Sequence, residues 1–565
     1  MLTVCALWVL GLTAVVGGAW GQSGAAKAPA VEAARTPVGQ VSAAKDEPTR
    51  DDLLRGGYGP FRANNDLLFY HLDVRVDPEQ KSIAGTNTIR FRMLADGTRI
   101  QLDLTPQLAV DSIKLKGRAL KYVREERTVW VDFSETLRKD KVYEIVFAYS
   151  GKPVAQGRFG CFTFNKDAAG KPWITTACEE EGASVWWPNK DQWRDEPQDG
   201  MQISVAVPNG LMDVSNGRFE GKHDLGDGYT RWDWGVHYGI NNYGVALNIG
   251  DYQHFSGKHG RTTLDYYALP EDLDKAKVQF TQVPEMLDAF EHYFGEYPFV
   301  RDGYKLIEVP YAGMEHQSAV AYGNKFANGY FVSPDWTGVG ISPRFDFIII
   351  HESGHEWFGN SVTAADRSDM WIHEGWTTYM ESLYVEYRWG KADAIKYLNG
   401  RRAGVKNMRP VISERGSNVE PPPDQYDKGS LMINTLRSIV DDDVKWFADL
   451  HDFYQHFKYQ QIMTEDVERW WSLRTGRNLR PFFDQYLRHT AVPVLRLRFD
   501  AVKGLVDYRW KADEAGFAMP VKVGDAAHWL IVKPVTGEWE TMPWAKSMEE
   551  FAVATDLYYV EVAKE

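Results

Sequence analysis

The segment Phe345-Asp-Phe-Ile-Ile-Ile-His351-Glu-Ser-Gly-His355-Glu-Trp-Phe-Gly-Asn360 carries an H-E-x-x-H pattern on an apolar, helix-like background. Two histidines four apart leave the same face of a helix, so both imidazoles can share one metal ion. Phe347 and Phe358 fall on that face one turn to either side, predicting a partly apolar surround. Imidazole suits zinc, and a catalytic zinc site keeps one position open for water. Glu352 sets a carboxylate beside that water, where a general base belongs. A third ligand follows 19 residues after His355: Glu374, in Trp371-Ile-His-Glu-Gly-Trp-Thr-Thr-Tyr379. His373, beside it, is the weaker candidate. Chance yields H-E-x-x-H in roughly 2% of chains this long, and requiring Glu374 lowers that to about one or two in a thousand. The constellation therefore reads as a site for one Zn2+ per chain, with ligands His351, His355 and Glu374 and with Glu352 as base.

With those residues the sequence resembles the aminopeptidase N family of zinc metallopeptidases, the gluzincin aminopeptidases that include leukotriene hydrolases. Its zinc motif is matched by His351, Glu352, His355 and Glu374, and its surroundings by Trp357-Phe358-Gly359-Asn360 and Glu374-Gly375. Ala312-Gly-Met-Glu315-His-Gln317 resembles the family's G-x-M-E-N exopeptidase motif, with His316 where Asn is usual. Tyr426-Asp-Lys-Gly429 resembles its Y-x-K-G segment. Thr176-Ala-Cys-Glu179-Glu-Glu-Gly182 resembles a T-Q-x-E cleft segment, with Ala177 in place of Gln. The resemblance spans about residues 60 to 495.

The resemblance implies a multidomain α+β fold built around a thermolysin-like, mostly helical zinc-peptidase domain. It implies a zinc-dependent aminopeptidase acting on peptides with a free N-terminus. Tyr426 would stabilise the oxyanion, donating its phenolic proton. Glu315 and Glu179 would face the substrate's α-ammonium, with Glu180 and Glu181 open as alternatives to Glu179. Gly313, lacking a side chain, would let the backbone approach the substrate. Three alternatives stand beside this: a zinc endopeptidase, a lipid-epoxide hydrolase of the same fold, and a non-catalytic peptide-binding scaffold. An endopeptidase has no need of Glu315, and a scaffold has no need of all three ligands with Glu352 and Tyr426.

These side chains need elements to hold them. At 565 residues the chain predicts three to four domains. Leu2 to Val16 is an uncharged apolar run of secretory length, so residues 1–21 read as a signal peptide, with an uncleaved membrane anchor as the alternative. Residues 22–57 are Ala/Pro/Ser/Lys-rich and read as a flexible linker. Alternating runs such as Tyr70 to Val76, Thr86 to Met93 and Gln202 to Val207 predict an N-terminal antiparallel β domain over 58–255. A mostly helical pattern follows, giving a catalytic domain over 256–492. There Trp376, Met380, Leu383 and Tyr387 form an apolar stripe, putting Glu374 near the start of a packed helix. Strand patterns return in a short C-terminal β domain over 493–565.

Composition narrows the partners. Lys plus Arg is 64 against 78 Asp plus Glu, a formal charge of −14, which argues against nucleic acid. Peptides with a free N-terminus are the expected partners, with no transmembrane domain once the signal is removed; oligomeric state is not encoded legibly. The expected location is exported: periplasmic, secreted or outer-surface. Three cysteines are too few for a disulfide scaffold. Cys161 and Cys178 remain after export and can form one bridge, or Cys178 stays a buried thiol. His237, His292 and His489 sit in no motif and read as structural.

Overall fold

The computed structural model describes residues 47–565. The expected signal peptide and most of the expected linker lie outside the described residues. Within that linker range, however, Arg50–Gly56 is a helix. Thr49 and Asp52 close a reciprocal capping box at its start, and Leu54 and Arg55 are buried. The reading of a flexible linker to residue 57 is thus corrected from Thr49 onward: a capping box and one buried leucine outweigh polar composition.

The N-terminal module is built on alternation. In Asn65–Asp77 the side chains of Tyr70, Leu72, Val74 and Val76 are buried while their neighbours are partly exposed, the period of a half-buried strand. This strand lies at the middle of an eight-stranded sheet, between Ser82–Met93 and Met201–Pro208. The ladder is antiparallel except at one place. Asn65–Asp77 and Met201–Pro208 run parallel, Tyr70 facing Met201, so the expected antiparallel domain contains one parallel pair. Well over a hundred residues separate those strands, ample for the crossover that parallel pairing requires. A smaller sheet pairs Cys161–Lys166 with Pro172–Ala177 and delivers the chain to Glu179.

The expected boundary between residues 255 and 256 falls inside strand Gln253–His259, which pairs with Thr262–Ala268. These strands begin a five-stranded sheet that also holds Tyr304–Glu308, Gly313–Met314 and Val320–Tyr322. The helical unit therefore opens with a sheet before its helices, and that sheet carries Gly313, with Glu315 just past the end of the same strand. Its strands are two to seven residues long, too short for periodicity to expose.

Three helices build the rest of the site: Phe347–Gly354, Trp371–Trp389 and Asp424–Val440. Asp346 caps the first, accepting from the backbone N–H of Ile348 and Ile349 at 3.1 and 3.3 Å. The second and third cross at Gly375 and Gly429, where a Cβ on Gly429 would lie 3.0 Å from the Gly375 Cα. Only glycine lets the two backbones approach this closely. The C-terminal strands form two small sheets. They dock on the third helix: Tyr558 donates to Ser438 O at 3.0 Å and Asn434 to Leu557 O at 3.1 Å. No helix among the described residues is long and apolar enough to cross a membrane.

Candidate metal and peptide site

The first helix presents His351 in its last turn and ends at Gly354, with His355 as its C-cap. Phe347 packs 5.2 Å from the His351 ring. Phe358 does not share that face, because the helix has stopped. Gly359, at φ 135°, turns the chain back under His355, and the Phe358 ring stacks on Trp376 at 5.2 Å. The turn brings Phe358 O to 3.0 Å from His355 Nδ1. Glu374 enters from the first turn of the second helix. Trp376, Met380 and Leu383 are buried as the stripe predicted, but Tyr387 is 44% exposed, beyond the last buried turn.

The three proposed ligands meet. His351 Nε2 and His355 Nε2 lie 3.2 Å apart, and Glu374 Oε2 lies 3.4 Å from each. The Nδ1 atoms face acceptors, Glu381 Oε1 at 2.8 Å and Phe358 O. With an Nδ1–H donated to these acceptors, each ring turns its Nε2 lone pair inward once that nitrogen is deprotonated, as a metal ligand must be. Two lone pairs and a carboxylate oxygen converging on one point repel unless a cation sits among them. Donors at about 2.0–2.1 Å from a tetrahedral metal are roughly 3.3–3.4 Å apart, which matches this triangle. The residues fit zinc. His373 is not a fourth ligand: its Nε2 accepts from Ala364 N at 2.8 Å, and its ring stacks on Trp193.

Around the triad stand three further carboxylates. Glu352 is buried, and burial with the nearby Glu315 and Glu374 pushes it up to about 7 against the pull of the two histidines. Ligand atoms of Glu315, Glu352 and His355 lie within 4.8 Å of one another, a second place that favours positive charge. Glu315 is held by the Tyr243 hydroxyl, which donates to Oε1 at 3.0 Å. Glu179 turns into the same space; burial, then Glu315 and Glu374, raise its carboxyl well above the ordinary range. Its neighbours turn elsewhere. Glu180 accepts from Arg158 N at 2.9 Å, and Glu181 pairs with Arg127. A Cβ on Gly313 would stand 2.8 Å from Glu352 Oε1, so this glycine leaves room for the Glu352 carboxylate. His316 is fully buried, and burial holds its imidazole neutral, near 3.

Tyr426, in the first turn of the third helix, stacks over His351 at 6.0 Å. Burial, then Glu374 and Glu179, keeps its phenol protonated well above the ordinary range, as a donor requires. Cys161 and Cys178 are joined by a disulfide. His237 pairs with Asp302 at 2.7 Å and His489 with Glu514 at 3.1 Å, away from the triad.

Two residues escaped the sequence reading. Glu381 braces His351 and in turn accepts from Tyr397 and Arg401 at 2.6 and 2.7 Å. Its signal was available: it lies seven residues, two helical turns, beyond Glu374. Tyr243 carries no signal, because it arrives from the β module 72 residues before Glu315.

Residues 278–486 match the Peptidase family M1 domain and residues 68–237 the Peptidase M1 N-terminal domain. Aminopeptidase 2 of Candida albicans is 21% identical over 76% of this chain and 48% of its own length. Aminopeptidase B of Mus musculus is 25% identical over 71% of this chain and 65% of its own. The chain thus spans about half to two thirds of these relatives. A crystal structure of a point mutant of an M1 zinc metallopeptidase from Deinococcus radiodurans, bound to a Tyr-Ser-Ala substrate, superposes with a TM-score of 0.61. It is 19% identical and covers 75% of this chain and 94% of that one, a likeness of fold.

Proposed function

Because the chain belongs to peptidase family M1, we propose that it is a zinc-dependent aminopeptidase that releases the N-terminal residue of peptides. One observation carries this reading: beside a zinc-fitting triad stand Glu315 and Glu179, two carboxylates that form no salt bridge with a lysine or arginine of the described residues. A free α-ammonium is the cation that a peptide brings, and in a partly dry chamber its attraction to two carboxylates is strong. An internal peptide bond has no such charge. Zinc held by His351, His355 and Glu374 would supply a Lewis acid and an acidified water. Glu352 takes the proton of the attacking water and returns it to the departing amine. Tyr426 donates its phenolic O–H to the oxyanion, from the side of the third helix. Glu315 and Glu179 fix the register at the N-terminus.

Glu352→Gln should abolish turnover of aminoacyl amides with zinc content unchanged, and N-acetylation of the substrate should remove nearly all activity. Equal cleavage of blocked and free substrates would establish an endopeptidase instead. A zinc-loaded Glu352→Gln protein with full activity would overturn the mechanism.

We also propose that the protein is exported. The apolar run Leu2 to Val16 and the Cys161–Cys178 disulfide support this, since disulfides persist in oxidising compartments. N-terminal sequencing of the exported protein should begin near residue 22; an unprocessed cytosolic protein would refute it.

A further inference from the structure

Glu179 differs from Glu315 in how it is held. Tyr243 braces the Glu315 carboxylate directly. The Glu179 Oε1 is buried and has no hydrogen-bond partner in the protein. No hydrogen bond within the protein fixes that oxygen, so its place depends on the backbone beneath and on the nearby Arg367 charge.

That backbone is gripped from several sides. The turn Cys178–Gly182 is closed by Gly182 N–H donating to Cys178 O at 2.8 Å. The Arg367 guanidinium, 5% exposed and lying over the Trp193 ring, donates to Glu179 O. Arg55 and Arg127 both donate to Glu181 O, at 2.5 and 2.6 Å. Arg55 comes from the N-terminal helix, Arg127 from the β module and Arg367 from the catalytic unit, so three separate parts of the chain converge on one turn. The residue immediately before Glu179 is covalently tied as well, by the Cys161–Cys178 bond. Cys161 ends the segment bearing Phe159, whose ring contacts Tyr311 at 5.4 Å. Tyr311 in turn donates to Thr176 O at 2.8 Å.

We propose that the Cys161–Cys178 disulfide and Arg367 are positioning elements for Glu179: they hold the 178–182 turn so that its carboxylate meets the substrate's α-ammonium. The proposal rests on the aminopeptidase reading. Neither element touches the reacting atoms, so their loss should weaken substrate binding and leave the chemical step alone.

The double variant Cys161→Ser/Cys178→Ser keeps the six-pair ladder between Cys161–Lys166 and Pro172–Ala177, which needs no sulfur. Arg367→Lys is the second variant, keeping charge but losing the forked donor that reaches both Glu179 O and Glu420. For the aminoacyl amide that the wild type hydrolyses best, each should raise KM about tenfold, the loss of one charge-assisted contact, with kcat within twofold and zinc content unchanged. Amide hydrogen exchange of residues 178–182 should quicken in both, and Glu179→Gln should raise KM without quickening exchange. Wild-type KM in both variants overturns the proposal, and so does a joint fall of kcat and zinc content, which would tie the disulfide to the metal site. If the wild type itself cleaves no aminoacyl amide, the aminopeptidase reading fails. The exchange arm with calorimetric binding of L-phenylalaninamide then decides: faster exchange with tenfold weaker binding supports the positioning role, and unchanged exchange or binding overturns it.

Discussion

His351 can offer Nε2 to a metal only while its proton stays on Nδ1, and the carboxylate of Glu381 at 2.8 Å is what keeps it there. The second oxygen of Glu381 is itself pinned by Tyr397 and Arg401. The ring is therefore fixed in tautomer and in orientation by a carboxylate that cannot rotate away. Glu381→Gln keeps the shape but removes the charge, leaving the buried Arg401 with only Asp427 as a carboxylate partner. Zinc affinity should fall about 10- to 100-fold, measured by competition with a chromophoric chelator. An unchanged affinity would show that the Nδ1 proton needs no anionic acceptor. His355 is braced differently, by the Phe358 carbonyl and the Thr377 hydroxyl, so the two histidines should respond unequally to outer mutations.

At the scale of elements, the sequence was most legible where one residue type had to recur at a fixed spacing. The four-residue spacing of His351 and His355 and the burial of Trp376, Met380 and Leu383 follow from a helical period, and Glu374, at the head of that stripe, meets the two histidines. Legibility ended where tertiary contacts decide. The motif helix stops at Gly354 and Gly359 turns the chain back, and a periodic extrapolation could not foresee that Phe358 would leave the face. The two-residue strand that carries Gly313 and leads into Glu315 is too short to show a period. The parallel pairing of Asn65–Asp77 with Met201–Pro208 joins segments far apart in sequence, and no local pattern encodes a partner. Helix Arg50–Gly56 was hidden by the polar composition around it, although Thr49 and Asp52 spelled a cap. The Gly375–Gly429 crossing shows how matched motifs acquire a cause: both glycines are needed for Glu374 and Tyr426 to reach the same chamber.

At the scale of the whole molecule, burying charge sets how stability varies with pH. Burial raises Glu196 to about 8, and burial with the neighbouring Asp272 raises Glu308 to about 8. Both start near 4.5 in the unfolded chain, so the folded state binds more protons between those values. Their contribution is fully present below about 4.5 and is lost as pH rises through about 8. Lys305, buried and donating to Gly217 O, runs the other way: burial lowers it to about 8, so stability is regained as pH climbs from there towards 10.5. The net charge of −14 at pH 7 grows more negative over the same range and adds self-repulsion. With zinc kept saturating, thermal midpoints should therefore fall from pH 6 to a shallow minimum near pH 8, by at least about 2 °C. Glu196→Gln should flatten the acid limb, because an amide does not titrate. A midpoint that rises steadily from pH 6 to pH 8 would mean that these carboxylates are ionised in the folded protein at no cost.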